Sequence, residues 1–278
     1  MTLVTAAEVT APAGIVRSRG YVMCPPTHFG VSYRINPWMD PGAGANRARA
    51  VRQWARLREI LAVGHHVTVL DATPGQPDMV FAANAAVPAG NAVLLARFRH
   101  PERAGEEPAY AEGFRRLGFS VVPASYVNEG QGDYLRAGPV MLGGSGFRTD
   151  PRAHDEVAEF TGLPVVPLEL VDDRFYHLDT ALAVLDEGLV AYWPGAFSAR
   201  SRGVLGDLFP DAVLASEDDA AAWGLNACSD GHRVVMSAPA TRLAATFSER
   251  GLCPVMVDVS ELQKAGGSVK CCVLELPC

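Results

Sequence analysis

Two adjacent cysteines near the end of the chain, Cys271 and Cys272, are the residues best suited to nucleophilic chemistry. They follow a glycine-rich segment that ends in Lys270, and they precede the alternating apolar run 273–276, which is typical of a strand. A thiol between a flexible loop and a strand, beside a cation, is a typical setting for a nucleophile with a lowered pKa. Free cysteines are also common core residues. The segment alone fits a nucleophile and a buried apolar pair equally well.

Further polar clusters carry groups that could act together with a thiol. Asp78 and Asn84 are six residues apart, so in a strand their side chains would share one face. The same argument places His177 and Asp179 on one face of a second strand. The polar members of these clusters are Asn36, Asp78, Asn84, Glu129, Asp133, His177 and Asp179. Each cluster also fits an ordinary turn or strand end when it is considered alone.

Together with the cysteine pair, these clusters supply the groups that a thiol-based catalytic site requires. A cysteine, a histidine and a glutamate are the components of a thiol-based catalytic triad. Additional carboxylates, here Asp78 and Asp179, suit a planar cation such as a guanidinium, whose N–H donors carboxylates bind in pairs. Arg103 and Arg148 lie near glycine-bearing loops and could hold a substrate carboxylate. As isolated residues, both also fit solvated surface arginines.

The elements that must position these residues are short and alternate between strand and helix. Apolar periodicity predicts a strand at 21–24, a helix over 46–63 and a helix over 110–117 that ends at Gly118. The unit strand, turn, helix, strand recurs about five times along the chain without a linker. We therefore predict an α/β fold with a flexible tail over residues 1–14 and one catalytic domain over 15–278.

Composition narrows the classes of partner. The chain has 278 residues and a formal net charge of −7 without a basic block, so nucleic acid is not an expected partner. No apolar stretch is long enough for a membrane span, and residues 1–20 do not resemble a signal peptide. Six scattered cysteines without a C-x-x-C pair predict reduced thiols and a cytoplasmic location, and they do not support a zinc site. A small molecule is the expected partner.

Taken in order along the chain, the motifs resemble one known group of enzymes. The motifs are Pro77–Phe81, Glu129–Asp133, His177–Thr180 and the terminal Gly-Gly-x-x-x-Cys. The chain is similar from residue 33 to residue 271 to the guanidine-modifying enzyme superfamily. This superfamily includes dimethylarginine dimethylaminohydrolases, arginine deiminases, arginine dihydrolases and amidinotransferases. The resemblance implies a five-bladed α/β propeller, the pentein fold, with pseudo-fivefold symmetry, a site in its central channel, and no metal or organic cofactor.

The resemblance also implies roles for individual residues. Cys271 is expected to be the nucleophile, His177 the general acid and base, and Glu129 the carboxylate that orients the imidazole. The expected substrate contacts are Asp78, Asn84 and Asp179 for the guanidinium, Arg103 and Arg148 for the α-carboxylate, and Asn36 as a further contact. The implied reaction is hydrolysis of a C–N bond at the guanidino carbon of arginine or Nω-methylated arginine. A thiouronium intermediate on the cysteine would lead to citrulline plus ammonia or a methylamine.

Departures from the common pattern leave alternatives open. Many relatives have a carboxylate where Asn84 stands, but arginine dihydrolases have an asparagine there, so Asn84 favours them. Asp179, in contrast, is typical of arginine deiminases. The acidic turn is one residue longer than Glu-Gly-Gly-Asp, and the length and terminal Cys-Cys look like dimethylargininases. The alternatives are an arginine dihydrolase giving ornithine and ammonia, an amidinotransferase, and a non-catalytic arginine-binding protein. The chain could also form a homo-oligomer.

Overall fold

A computed structural model describes residues 19–276, which contain fifteen short strands in five three-stranded sheets. In each sheet the inner pair of strands is antiparallel and the outer pair is parallel. The strands are β1 Gly20–Met23, β2 His66–Val69, β3 Ala86–Ala89, β4 Ala92–Leu95, β5 Ser120–Pro123, β6 Tyr134–Ala137, β7 Val140–Ser145, β8 Val165–Glu169, β9 Leu182–Asp186, β10 Leu189–Tyr192, β11 Val213–Leu214, β12 Cys228–Ser229, β13 Arg233–Ser237, β14 Cys253–Val257 and β15 Leu274–Leu276. These five repeated units confirm the predicted five-bladed α/β propeller.

Helices connect the second and third strands of each unit, because parallel neighbours require a crossover connection. These connecting helices are α1 Arg47–Leu61, α2 Pro101–Ala104, α3 Glu106–Arg116, α4 Ala153–Thr161, α6 Ala199–Leu208 and α8 Thr241–Glu249. The shorter helices α5 Leu178–Ala181, α7 Glu217–Ala221 and α9 Ser260–Gln263 lead instead from the third strand of one unit to the inner strand of the next. The prediction of a helix over 46–63 is confirmed by α1, whose cap Asn46 accepts a hydrogen bond from the Arg49 N–H at 3.0 Å. Trp54 and Leu57 on its buried face pack in one cluster with Tyr21 of β1.

The two ends of the described chain meet in one sheet. β15 pairs antiparallel with β1, so the final strand becomes the inner strand of the first unit. The inner strands of the five units are therefore β15, β3, β6, β9 and β12. This pairing brings the glycine-rich loop and Cys271 back to the centre of the ring. The predicted tail over 1–14 lies outside the described residues, and the division at residue 15 stays a prediction.

Six of the candidate site residues lie in the segments that immediately precede the inner strands: Asp78, Asn84, Glu129, His177, Asp179 and Cys271. Asn36, Arg103 and Arg148 lie instead between the second and third strands of their units. Asp78 and Asn84 precede β3 in two consecutive 3₁₀ turns, Pro77–Val80 and Ala82–Ala85. His177 caps α5, which leads into β9. The expected strands at 78–84 and 177–179 are therefore wrong. Tertiary contacts override the local pattern here, since buried polar side chains bind the backbone of these turns.

The inner strands enclose a cavity of about 570 Å³ that lies towards their carboxyl ends. Its wall includes Val87 of β3, Leu135 of β6, Ala183 of β9 and Glu275 of β15. The fold is thus a ring around a central channel, with the candidate site at the amino ends of the inner strands. Among residues 19–276 we find no helix that could cross a membrane.

Candidate active site

Cys271 is buried in the turn Lys270–Cys272 that leads into β15. The Nδ2 group of Asn226 donates to its sulfur at 3.0 Å, and its own N–H donates to Asn226 Oδ1 at 3.2 Å. Burial and then the charge of Asp179 raise the pKa of the Cys271 thiol well above its ordinary value. The expectation that Lys270 lowers the pKa of this thiol is therefore wrong when only protein groups surround the thiol. The Lys270 ammonium instead donates to Gln131 Oε1 and the Val273 carbonyl.

His177, Glu129 and Arg148 form a buried chain of charged and polar contacts. His177 Nε2 lies 2.8 Å from Glu129 Oε2, and Arg148 Nη1 donates to the same oxygen at 2.8 Å. The N–H of Arg99 donates to the other oxygen of Glu129 at 3.2 Å. Burial alone would raise the pKa of Glu129, but Arg148 and His177 outweigh it and hold this pKa well below its usual range. Glu129 is therefore an ionised acceptor that orients the imidazole.

The acidic turn before β6 is shaped by glycine and closed by Asp133. Gly130 has φ of +55°, and a Cβ there would lie within 2.8 Å of the backbone of Ala83, so only glycine fits. Asp133 accepts from the Leu178 N–H at 3.1 Å and from the Thr149 hydroxyl at 2.7 Å. Burial raises the pKa of Asp133 to about 6. Although this turn is one residue longer than Glu-Gly-Gly-Asp, the hydrogen bonds to Asp133 still connect the segment that carries Glu129 to the segment that carries His177.

Asp78 and Asp179 are buried carboxylates that the protein leaves partly or wholly without donors. Asp78 Oδ2 accepts from the Tyr33 hydroxyl at 2.8 Å, but Asp78 Oδ1 and both oxygens of Asp179 have no partner within hydrogen-bond geometry. The side chains of Cys271 and Asn226 lie close enough to Asp179 to oppose the rise of its pKa, but neither is placed as a well-formed donor. Burial raises the pKa of Asp78, and it raises the pKa of Asp179 to about 7 although Lys270 opposes this. Unpaired buried carboxylates are costly. A planar cation with several N–H donors is the kind of ligand that such carboxylate oxygens bind.

Arg103 is buried and its guanidinium is bound by protein groups. Nε and Nη2 donate to the two carboxylate oxygens of Glu106 at 2.8 and 2.9 Å, and Nη1 donates to Asn84 Oδ1 at 2.8 Å. Asn84 Nδ2 in turn reaches the Glu129 carbonyl at 3.4 Å. This geometry favours a role for Arg103 in orienting Asn84. Its predicted contact with a substrate carboxylate stays a prediction.

A cavity of about 440 Å³ lies beside these networks and is lined by both charged and aromatic groups. Arg148 lines it with its guanidinium 4.4 Å from the centre of the Tyr176 ring. Asn36 also lines it, and its Nδ2 donates to the Ala265 carbonyl at 3.2 Å in the loop before Cys271. Arg34 and Asp173 add one charge of each sign. This chemistry suits the α-carboxylate and α-amino groups of an amino acid.

Four residues of the site were not singled out from the sequence. Tyr33 and Tyr176 each stand inside or beside a motif that carries the resemblance, which is a usable signal. Glu106 follows Arg103 by three residues, a spacing that pairs charges on a helix. Asn226 has no local signal, and only its place before an inner strand relates it to the other site residues. Among residues 19–276, no group of three or more His, Cys, Asp and Glu side chains is arranged to hold a metal ion.

Comparison with known proteins supports the resemblance to guanidine-modifying enzymes. The chain is 51% identical over 275 residues, 98% of its length, to the N(G),N(G)-dimethylarginine dimethylaminohydrolase of Mycobacterium tuberculosis, of which it covers 91%. It is 37% identical to the bifunctional arginine dihydrolase/ornithine cyclodeaminase ArgZ of Synechocystis sp.; that match spans 92% of this chain but only 37% of ArgZ.

One solved structure extends this comparison to three dimensions. The N-terminal domain of an ArgZ variant, covalently bound to a reaction intermediate, matches with a TM-score of 0.90 and 35% identity; the match covers 94% of this chain and 98% of that domain. No protein-family model matches the chain. With a ring of five units, a buried thiol, and a relative that matches across nearly its whole length, the chain belongs to the dimethylarginine dimethylaminohydrolase family of guanidine-modifying hydrolases.

Proposed function

We propose that this hydrolase cleaves a C–N bond at the guanidino carbon of arginine or an Nω-methylated arginine. The observation that carries the proposal is the set of three unpaired oxygens on the buried carboxylates of Asp78 and Asp179. Asp179 lies beside the Cys271 thiol, so a cation bound there would present its central carbon near the sulfur. A relative named for dimethylarginine hydrolysis, 51% identical, supports this substrate class.

The reaction proceeds in two steps. A bound guanidinium lowers the pKa of the neighbouring thiol, because it cancels the charge of Asp179. The Cys271 thiolate attacks the guanidino carbon and forms a C–S bond. His177 gives its proton to the departing nitrogen, which leaves as ammonia or a methylamine when the C–N bond breaks. Water then attacks the thiouronium while His177 accepts one of its two protons. When the C–S bond breaks, citrulline leaves and its remaining hydroxyl proton passes to the sulfur, which restores the thiol; this proton replaces the one that the thiol lost to solvent when the guanidinium bound.

The amino-acid end of the substrate would occupy the cavity of about 440 Å³. Arg148 keeps N–H donors beyond those it gives to Glu129 and Ile35, and it is the arginine we assign to the α-carboxylate. Asn36 would contribute a further contact from the same wall. Arg103 would act indirectly by holding Asn84 against the guanidinium site.

A second candidate function is arginine dihydrolysis to ornithine and ammonia, and the observation that favours it is Asn84. Its Oδ1 is engaged by Arg103, so its amide presents Nδ2 towards the Gly132 and His177 side of the site. An N–H donor suits the carbonyl oxygen of a bound ureido group better than it suits a guanidinium. The matched N-terminal domain belongs to a protein named as an arginine dihydrolase.

Product analysis tests both candidates. The protein is incubated separately with arginine and with asymmetric dimethylarginine, without acceptor amines, and the products are separated by chromatography. Citrulline with dimethylamine from the methylated substrate supports the dimethylargininase proposal, and citrulline with ammonia from arginine supports a deiminase. Ornithine with ammonia favours the dihydrolase, whereas turnover that requires an added amine indicates transfer. No reaction with either substrate would refute the proposed substrate class.

We propose that the protein acts in the cytoplasm. The five cysteines in the described part of the chain are free, which suits a reducing compartment. Cell fractionation with an antibody to the protein would test this location. The possible homo-oligomer stays a prediction, and light scattering at micromolar concentration would test it.

A further inference from the structure

Asn226 occupies a place in the fold that corresponds to the other site residues. The segments before four of the inner strands bring Asn84, Glu129, His177 and Cys271 to the site. Asn226 lies in the corresponding segment of the fifth unit, two residues before β12, as Asn84 lies two residues before β3. Its side chain is fully buried. The fivefold repeat therefore identifies Asn226 as a candidate site residue, although no sequence motif marks it.

The hydrogen bonds of Asn226 converge on the nucleophile. Its Nδ2 donates to the Cys271 sulfur at 3.0 Å and to the Asp179 carbonyl at 2.9 Å, so both amide hydrogens are used. Its Oδ1 accepts from the Cys271 N–H at 3.2 Å, and its backbone carbonyl accepts from the Lys270 N–H at 3.3 Å. One side chain thus joins the turn that carries the thiol to the helix that carries Asp179.

The loop that presents Asn226 is held in an unfavourable conformation. Trp223, three residues earlier, has φ of +61° and is the one non-glycine residue with positive φ among residues 19–276. Its ring centre lies 4.8 Å from that of Trp38, and Trp38 Nε1 donates to the Arg174 carbonyl at 2.7 Å. Backbone strain of this kind persists only where surrounding contacts enforce it, and it is concentrated at functional sites. The aromatic contact therefore maintains the loop that places the amide.

We propose that Asn226 is a positioning residue that holds the sulfur of Cys271 in place and favours its thiolate form. An amide N–H stabilises a thiolate more than a thiol, and thereby opposes the effects of burial and of Asp179. Asparagine suits the place because it donates to the sulfur and accepts from the same residue's N–H. The proposal rests on the proposed function only in taking Cys271 as the nucleophile.

The test measures thiol ionisation directly. The rate of alkylation by iodoacetamide is followed from pH 6 to 12, so that the range includes a midpoint above the ordinary thiol value, and tandem mass spectrometry assigns the adduct to Cys271. For Asn226→Ala we expect the midpoint to rise by about one pH unit, and kcat with arginine substrates to fall about 10- to 100-fold while KM changes less. Asn226→Ser, whose hydroxyl is too short to reach the sulfur, should behave alike without creating a cavity of the same size.

The matched control is Ser229→Ala in β12. The buried Ser229 hydroxyl donates to the Leu185 carbonyl at 2.6 Å and has no contact with the nucleophile. Its loss should lower the melting temperature but leave the alkylation midpoint unchanged. If both Asn226 variants keep the wild-type midpoint, the proposal is refuted. Because alkylation requires no substrate, this result is separable from an error in the proposed substrate, which would appear as absent turnover in wild type.

Discussion

The site contains two regions of buried carboxylates that differ in how the protein pairs them. Around Glu129, every carboxylate oxygen accepts a hydrogen bond, from His177, Arg148 or the Arg99 N–H. Around Asp78 and Asp179, three of four oxygens accept none. Both regions are almost completely buried, so solvent exposure does not explain the difference.

The difference in hydrogen bonding distinguishes a carboxylate suited to orienting the imidazole from carboxylates suited to binding a cation. Protein cations hold the pKa of Glu129 well below its usual range, whereas burial raises the pKa of Asp179 to about 7. A paired carboxylate stabilises the fold and orients a catalytic imidazole. An unpaired carboxylate destabilises the fold and attracts a cation from outside. The free-energy cost of burying carboxylates without donors therefore falls on the residues that would bind the guanidinium of the proposed substrate.

Replacing the nucleophile should have the largest effect. Cys271→Ser should lower kcat by at least about 10⁴-fold, because a serine hydroxyl is far less acidic than a thiol and is a much weaker nucleophile. Cys272→Ser should keep most activity, since the sulfur that accepts from Asn226 Nδ2 is that of Cys271. Steady-state assays and intact mass after trapping with substrate would measure this. A larger loss in the Cys272 variant would show that the nucleophile is assigned to the wrong cysteine.

Asp179→Asn should lower kcat/KM by about 10²- to 10³-fold, because a charged hydrogen bond to the guanidinium is lost. The same change should stabilise the protein by about 1–3 kcal/mol above pH 7, since an ionised buried group is removed. The unfolded chain ionises Asp179 near pH 3.8 and the folded chain near pH 7. The gain should therefore shrink as the pH falls from about 7 to about 4. Urea unfolding of the variant and of wild type at pH 8 and pH 5 measures this gain in the free energy of unfolding. If the variant were less stable than wild type at pH 8, the unpaired state of Asp179 would be contradicted.

Glu129→Gln should show the opposite sign in stability. The buried Arg148 guanidinium loses its counter-charge, so we expect destabilisation by about 3–5 kcal/mol at pH 7. We expect kcat to fall about 10²-fold, because His177 loses its orienting carboxylate. The folded pKa of Glu129 lies well below the unfolded value of 4.5, so its contribution is complete above about pH 4.5 and decreases progressively as the pH falls from there towards the folded pKa. Unfolding at pH 7 and pH 3.5 measures the difference, which should be smaller in acid; an equal loss at both values would argue against the ionised pair.

Tyr33→Phe should have the smallest effect. It removes the one donor to Asp78 and leaves both carboxylate oxygens without protein partners. We expect KM to rise about 5- to 10-fold with little change in kcat, because Asp78 remains present but less well oriented. Initial-rate kinetics measure both constants. A fall in kcat at constant KM would instead assign Tyr33 to the chemical step.

Much of the site was predictable because its residue types are chemically specific. A cysteine after a glycine loop, a histidine followed by an acid, and a glutamate in a glycine turn define a recognisable order of motifs. Local geometry was predicted less well: the segments at 78–84 and 177–179 are turns and a short helix instead of strands. Their shape depends on partners distant in sequence, such as Asp133, which accepts from the Leu178 N–H across 45 residues.

The sequence by itself determined the order of the motifs and the alternation of short strands and helices, and it predicted Cys271 as the reactive thiol. Only the tertiary structure decided which carboxylates are paired and which are not, and which amide reaches the sulfur. The physical reason is that pairing energy depends on distances between segments from different units of the ring. Glu129 meets a guanidinium 19 residues away, whereas Asp179 meets none, and no local pattern encodes that difference.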